Sequence, residues 1–268
     1  MQSIQSRQPA SDTKDQYDHV TISRQGAFQL RVVARHYRRL LRDTRWHLYD
    51  CDLQRIVAEF NRHLSGKGGY FPLDWRIIKA MVWTESGGPN NPAWHNNPMQ
   101  IGNNGDPGLA ALLSGKEGGD LIMPAEIKRT LTTTSVRSSA QMNIIAGTAY
   151  LLMRLARFDI ATIPDNTGHK LYEVVIKPGD SLDRVARASG STVDTLKKLN
   201  PGAFVLKPGQ TLKCQKAAMQ KIIVGWNMVT ASTIATRYNV GDPAYAKKLN
   251  YCLAVMRKRA TTRNGCAA

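Results

Sequence analysis

The sequence predicts an α+β protein, mainly α, in which a small βααβ module interrupts a helical domain. Apolar residues recur at helical spacing on both sides of the module, whereas the module itself has the pattern of strand, two short helices and strand. A length of 268 residues suits one full domain plus a small module. We therefore divide the chain into a flexible tail (1–26), a helical domain in two parts (27–168 and 217–268) and an insertion (169–216).

Two helices are expected before the first loop. From Phe28, the sequence FQLRVVARHYRRLLRDT places apolar residues on one face and arginines on the other. This helix either packs on the domain with its charges in solvent or binds the cell wall or a partner. A second helix covers Leu53 to Leu64 and ends at the loop signal GKGGYFP.

The next predicted helix carries the candidate acid. Asp74 can cap DWRIIKAMVWTES, and the helix should stop at the Gly87-Gly88-Pro89 sequence. Glu85 then lies in the last turn, where the helix dipole and apolar neighbours favour the protonated carboxyl. Such a carboxyl can act as a general acid near neutral pH. The alternative is a solvated glutamate at a helix end.

Further elements follow in order. A core helix is predicted over Gln141 to Arg157, and another helix over Trp226 to Arg237. Within the insertion, Leu171–Ile176 and Thr211–Cys214 should pair as antiparallel strands around two short helices. Entry and exit would then lie side by side, which is what an insertion into an exposed loop requires.

Composition restricts the partner and the location. Lys and Arg total 37 against 20 acids, a net charge of +17, so a polyanion is expected: nucleic acid, an acidic membrane or a carboxylate-bearing wall. The polar start MQSIQSRQPASDTKDQYDHV is unlike a signal peptide, and no segment suits a membrane span. We expect synthesis in the cytoplasm and no metal or cofactor. The four cysteines are interpreted as free thiols, with oxidation of one pair after export as the alternative.

The insertion, LYEVVIKPGDSLDRVARASGSTVDTLKKLNPGAFVLKPGQTLKC, resembles a LysM domain. The resemblance implies binding to peptidoglycan glycan strands in a groove between two loops. The alternative interpretation of these loops is simple turn chemistry, since Pro-Gly-Asp and Asn-Pro form turns in many proteins. The implied groove residues are Gly179, Asp180, Ser181, Leu182, Asn200 and Pro201.

The outer parts resemble the goose-type lysozyme and lytic transglycosylase superfamily. The resemblance rests on Glu-Ser at a helix end, Met-Gln-Ile in the following loop, the helix QMNIIAGTAYLLMRLAR and the segment RYNVGDPAY. It implies a lysozyme-like helical domain with Glu85 as the catalytic acid. By the same resemblance Tyr238 is catalytic, stabilising the sugar in the transition state. The implied substrate-binding residues are Ser86, Met99, Gln100, Asn143 and Asn239.

The sequence departs from the goose-type pattern at Gly102. By the resemblance, an Asp is expected at this position, directly after the Met-Gln-hydrophobic triplet. Asp106 is the nearest substitute for a second carboxylate, with Glu117 and Asp120 as weaker candidates. If none serves, the resemblance implies a lytic transglycosylase that forms a 1,6-anhydro product, which is the preferred prediction. The alternatives are a muramidase, a phage endolysin, a non-catalytic wall-binding protein and, from charge alone, a nucleic-acid-binding protein, which no motif supports.

The predicted biology is that of an antibacterial effector. A wall-degrading enzyme without a signal peptide needs another route, such as a type VI-like secretion system and its carrier proteins. We expect it to act in the periplasm or cell wall of a target bacterium. An immunity protein that blocks the cleft is the expected partner.

Overall fold

The structure, a computed structural model, describes residues 43–164, 171–203 and 205–257. The predicted helix that begins at Phe28 lies outside these residues. In the described part, a run of helices leads to the first strand. These helices are α1 (Asp50–Leu64), α2 (Trp75–Ser86), α3 (Pro92–Asn96), α4 (Pro107–Ser114), α5 (Gly119–Ile122), α6 (Ala125–Thr130), α7 (Thr133–Ser138) and α8 (Ala140–Leu155).

The core of the helical body lies among α1, α2 and α8. Helix α8 is buried over most of its length, as expected for a central helix that is apolar on several faces. Indole rings close one end of this core: the Trp46 ring lies 3.5 Å from that of Trp83 and 5.3 Å from that of Trp94, centroid to centroid. The predicted cap of α2 is confirmed, because the Asp74 carboxylate accepts a hydrogen bond from the Arg76 amide.

The module forms its own small core. Its elements are β2 (Tyr172–Val175), α9 (Leu182–Ala188), α10 (Val193–Leu199) and β3 (Thr211–Cys214), preceded along the chain by β1 (Ala156–Pro164). The predicted antiparallel pairing of β2 with β3 is confirmed, with Tyr172 opposite Cys214. Both predicted helices are present. Buried side chains from α9, α10, β3 and the residue that follows β2 meet in the centre: Ile176, Val185, Ala186, Leu196, Leu212 and Cys214.

A two-stranded ribbon connects the module to the helical body. Strand β4 (Ala217–Trp226) pairs antiparallel with β1 from Ala156 opposite Trp226 to Pro164 opposite Ala217. Nine residues of strand span about 30 Å, so the ribbon is a long arm. The sequence pattern did not predict this ribbon. The helix predicted from Trp226 begins only at Ala231, because the Thr230 hydroxyl caps the Thr233 amide there.

The base of the ribbon is fixed to the body by polar contacts. The Trp226 indole donates to the Lys67 carbonyl at 2.8 Å, and the Asn227 amide donates to the Leu155 carbonyl at 2.8 Å. Gly68 has φ +56, and a Cβ there would lie 2.8 Å from the Ile223 carbonyl oxygen. A side chain at this position would push the ribbon away from the loop.

After the ribbon, the chain returns to the body as α11 (Ala231–Arg237) and α12 (Tyr245–Arg257). Helix α12 packs against α2, so segments from before and after the module form one core. The predicted fold class, α+β and mainly α, is confirmed. Across the described residues, no helix has the length and apolar character needed to cross a membrane.

The cysteines correct one expectation. Cys51 is disulfide-bonded, so the interpretation of every cysteine as a free thiol is wrong for this residue. Cys214 and Cys252 are free and buried. The structure thus agrees with the alternative expectation, in which one pair of cysteines is oxidised to a disulfide.

Candidate active site

Glu85 lies in the last turn of α2, where two local features fix the helix end. Gly87 adopts φ 73, a left-handed conformation that suits glycine, and its amide donates back to the Trp83 carbonyl. Glu85 is partly buried. The position agrees with the predicted one, and the helix end brings the carboxyl to the surface of the core.

Two groups from beyond the module hold the Glu85 carboxyl. The Tyr245 hydroxyl, at the start of α12, donates to Glu85 Oε1 at 2.7 Å. The Asn239 side chain, in the turn before α12, also hydrogen-bonds to the carboxyl. Tyr245 is 1% exposed, so its ring forms part of the wall behind the acid. The site is therefore assembled from both outer segments of the chain.

The environment favours the protonated form of Glu85. Burial is the largest effect and raises the pKa of the carboxyl to about 7, while the hydrogen bonds from Tyr245 and Asn239 act in the opposite direction. The Asp242 charge raises the pKa further, and the Lys248 charge lowers it. At neutral pH about half of the Glu85 side chains carry a proton. The carboxyl can thus both give and accept a proton.

Tyr238 lies close to Glu85 but uses its hydroxyl elsewhere. The hydroxyl donates to the Met99 carbonyl at 3.0 Å, and the ring meets that of Tyr150 edge to face at 5.5 Å. Burial, followed by the charge of Glu85, raises the pKa of Tyr238 well above its ordinary value. A tyrosine in this setting stays protonated and acts as a hydrogen-bond donor. It ties the Met-Gln-Ile loop to the turn that carries Asn239.

Asn143 supports the same loop from below. Its Oδ1 accepts from the Met99 amide at 2.8 Å, and its Nδ2 donates to the Ile101 carbonyl at 2.9 Å. Asn143 is 0% exposed, so its predicted contact with substrate is corrected: the side chain is buried and satisfied by the backbone. Gly147, one turn later in α8, leaves room for Met99, because a Cβ there would lie 2.6 Å from Met99 Cβ.

Three other predicted substrate-binding residues also have structural contacts. The Ser86 hydroxyl donates to the Val82 carbonyl one turn back, and Ser86 is 1% exposed. Met99 is also 1% exposed, so both side chains lie behind the site surface. Gln100 is partly buried, has φ 52 and donates to the Asn97 carbonyl. For Ser86 and Met99 the prediction of substrate contact is therefore corrected to a supporting position.

Asp106 is committed to backbone contacts. Its Oδ2 accepts from the Gly102 amide at 2.7 Å, and its Oδ1 accepts from the Gly108 amide at 2.8 Å, which caps α4. Both oxygens of this tentative second carboxylate therefore stabilise the loop. Of the weaker candidates, Glu117 is paired with Arg154 at 3.5 Å and Asp120 is exposed.

The departure at Gly102 has a steric reason. Gly102 has φ +82, and a Cβ there would lie 2.8 Å from a methyl carbon of Leu109. An aspartate at this position would be strained in the backbone and would also clash with α4. The loop therefore requires glycine at position 102. The carboxylate that accepts a hydrogen bond from the Gly102 amide belongs to Asp106, four residues further along.

Asp242 is the carboxylate that sequence reasoning missed. The charge of Asp242 raises the pKa of Glu85, and Asp106 is not among the groups that shift this pKa. Asp242 Oδ2 accepts from Lys248 Nζ at 2.8 Å, and Asp242 Oδ1 accepts from the Ala244 amide at 2.9 Å. The sequence offered a signal in the Gly-Asp-Pro that precedes Tyr245, but only the fold shows that the Asp242 charge acts on Glu85. Tyr245 lies in the RYNVGDPAY segment that carries part of the resemblance, but the sequence did not predict a site role for it.

The predicted groove residues of the module form its turns. Asn200 links α10 to β3, since its amide group exchanges two hydrogen bonds of 2.8 Å with the Lys213 backbone. Asp180 accepts from the Lys177 amide, and Ser181 caps the Arg184 amide at the start of α9. Gly179 and Pro201 are exposed, and Leu182 is partly buried. These contacts establish the loops on which a glycan groove would depend.

Within 43–164, 171–203 and 205–257, no three His, Cys, Asp or Glu side chains are grouped so that they could hold a metal ion.

Comparison with known proteins identifies the module. Residues 174–214 match the model of the LysM domain family. No curated protein and no solved structure matches the chain. The chain carries a LysM domain, a peptidoglycan-binding domain that links this protein to the cell wall.

Proposed function

We propose that the protein cleaves peptidoglycan between N-acetylmuramic acid and N-acetylglucosamine as a lytic transglycosylase, with Glu85 as its acid and base. The observation that carries the proposal is the Glu85 carboxyl, with its pKa raised to about 7 and held by Tyr245 and Asn239. The LysM domain supports the choice of substrate, because it brings the same polymer to the enzyme.

The chemistry needs one carboxyl in two protonation states. Protonated Glu85 donates its proton to the glycosidic oxygen as the bond to the muramic acid anomeric carbon breaks. The resulting carboxylate then accepts the proton of the muramic acid 6-hydroxyl, whose oxygen bonds to the anomeric carbon. Glu85 ends protonated, as it began, and no water is consumed. A group that is half ionised at neutral pH suits both steps.

The state of the other carboxylates supports transglycosylation over hydrolysis. A muramidase needs a second carboxylate to activate water or to form a covalent intermediate. Asp106 and Asp242 each accept two hydrogen bonds in the structure. Mass spectrometry of the muropeptides released from purified sacculi tests the choice. The proposal expects 1,6-anhydro ends, whereas reducing ends would make the protein a muramidase.

We also propose that the enzyme acts outside the cytoplasm as an antibacterial effector. The disulfide at Cys51 supports this location, since disulfides persist in oxidising compartments such as the periplasm. Expression fused to a periplasmic signal should lyse a Gram-negative host, and cytoplasmic expression should not. Glu85→Gln in the same fusion is the control. A neighbouring gene whose product blocks lysis would identify the immunity partner.

A further inference from the structure

The turn between α11 and α12 carries several groups of the site in a few residues. Tyr238 leads into it, Asn239 lies within it and Tyr245 follows it. Val240, Gly241 and Pro243 in this turn are exposed, Val240 to 78%. Apolar packing therefore fixes the two ends of the turn but not its middle. Something else must hold the segment that presents Asn239.

One ion pair closes this turn. Asp242 Oδ2 accepts from Lys248 Nζ at 2.8 Å, which connects the turn to the second turn of α12. The other carboxylate oxygen accepts from the Ala244 amide, and the Asp242 carbonyl accepts from the Tyr245 amide at 3.0 Å. Asp242 therefore binds the turn, the start of α12 and the backbone of Tyr245 together.

The pair also lies within electrostatic reach of the acid. The groups that act on Glu85 come from α12 and from the turn before it: Tyr245, Asn239, Asp242 and Lys248. Tyr238 faces it from the end of α11 and stays neutral. Of all these groups, only Asp242 and Lys248 carry charge, and their charges act on Glu85 in opposite directions.

We propose that the Asp242–Lys248 ion pair is a positioning element of the Glu85 site, which holds two opposite charges at fixed places in the turn and in α12 beside the carboxyl and so balances the charge around it. The inference rests on the proposed role of Glu85 as the acid. Neither residue needs to touch substrate. The pair is partly exposed, with side-chain exposures of 29% and 41%, so its effect on overall stability is small.

Two substitutions break the pair from opposite sides. Asp242→Asn removes the charge but keeps an oxygen that can cap Ala244. Lys248→Met removes the ammonium and leaves the Asp242 carboxylate unbalanced. The Glu85 pKa should therefore fall in Asp242→Asn and rise in Lys248→Met. A shift of ~0.3 unit changes the rate ~2-fold on the alkaline side of the pH profile. Lys248→Arg should restore the wild-type profile.

The Glu85 pKa should be followed by carbon NMR of protein labelled at the glutamate carboxyl, with Glu85→Gln to assign the signal. This readout does not depend on activity. Opposite shifts in the two variants, with unchanged thermal unfolding, support the proposal. Shifts of one sign, or no shift, would overturn it. Arg129→Met, which breaks the exposed surface pair with Glu126, is the matched control and should leave the signal unchanged.

The same experiment separates this inference from the proposed function. If opposite NMR shifts appear while the wild-type protein releases no muropeptides, the ion pair tunes Glu85 but the proposed activity is wrong. If muropeptides are released and the shifts are absent, the activity stands and the positioning role of the pair is refuted.

Discussion

The Tyr245 hydroxyl donates to Glu85 Oε1 at 2.7 Å, a hydrogen bond between residues separated by 160 positions and by the whole LysM domain. This bond requires the chain to leave the helical body, form the module and return before the site is complete. The ribbon of β1 and β4 brings the two ends together at its base. The site is thus a product of the long-range fold and not of any single motif.

Tyr245→Phe should move the alkaline limit of activity upward. The phenol hydrogen bond stabilises ionised Glu85 and lowers the pKa of the carboxyl, so its loss raises that pKa. The protonated acid then persists to higher pH. The absolute rate should fall, because the Glu85 carboxyl loses the Tyr245 hydrogen bond that orients it. A pH–rate profile on sacculi measures both effects, and a profile that moves to lower pH would contradict the account.

Glu85→Gln should remove a pH dependence of stability. The folded-state pKa of Glu85 is raised to about 7 from an ordinary 4.5, so the stability associated with its proton is full below pH 4.5 and is lost as pH rises through about 7. The wild-type protein should lose free energy of unfolding over this window, by at most a few kcal/mol because one pKa unit is worth ~1.4 kcal/mol. Urea unfolding at pH 5 and pH 8 makes the comparison. If the free energy of unfolding differs between pH 5 and pH 8 by the same amount in the wild type and in Glu85→Gln, the pH dependence of stability comes from other groups.

Gly102→Ala should destabilise the protein more than Gly105→Ala. Both glycines have positive φ, 82° and 83°, so both substitutions strain the backbone. Only at Gly102 would the new Cβ also meet Leu109, at 2.8 Å, because the space around Gly105 is open. The difference between the two melting temperatures isolates the clash. Equal losses would show that the loop can move away from α4, and an aspartate at position 102 would then be tolerated.

Replacing residues 164–217 with Asn-Gly should remove the LysM domain and leave a folded body. Ile163 lies opposite Ala218, so a two-residue turn can join β1 to β4 as a hairpin. We expect cleavage of soluble glycan fragments to be retained and sedimentation with sacculi to be reduced. As the contrast, a chain ending at Cys214 lacks Asn239 and Tyr245 and should be inactive. Loss of soluble-substrate cleavage in the hairpin variant would give the module a direct part in catalysis.

The parts of the fold that were predicted correctly depend on local signals. Capping by Asp74, the stop at Gly87 and the strand–helix–helix–strand order of the module are all written within short stretches of sequence. The ribbon was missed because Ile222, Ile223 and Val224 are contiguous and do not alternate with polar residues, which hides the strand period.

The site was predicted unevenly for a related reason. Glu85 could be proposed because its helix end and the Glu-Ser and Met-Gln-Ile motifs that carry the resemblance are short stretches of sequence. The burial of Asn143 and Ser86 could not be predicted from spacing, since a polar residue on a helix can face either a cleft or a backbone loop. The role of Asp242 depends on the effect of its charge on a residue more than 150 positions earlier, which no local pattern encodes.

The most direct test of the central claim is the release of soluble muropeptides from purified sacculi by the wild-type protein and by Glu85→Gln at pH 6. At this pH most of the Glu85 side chains are protonated. We expect the wild type to release muropeptides with 1,6-anhydro ends and Glu85→Gln to release none, while both bind sacculi equally through the LysM domain. Equal release by the two proteins would show that Glu85 is not the acid.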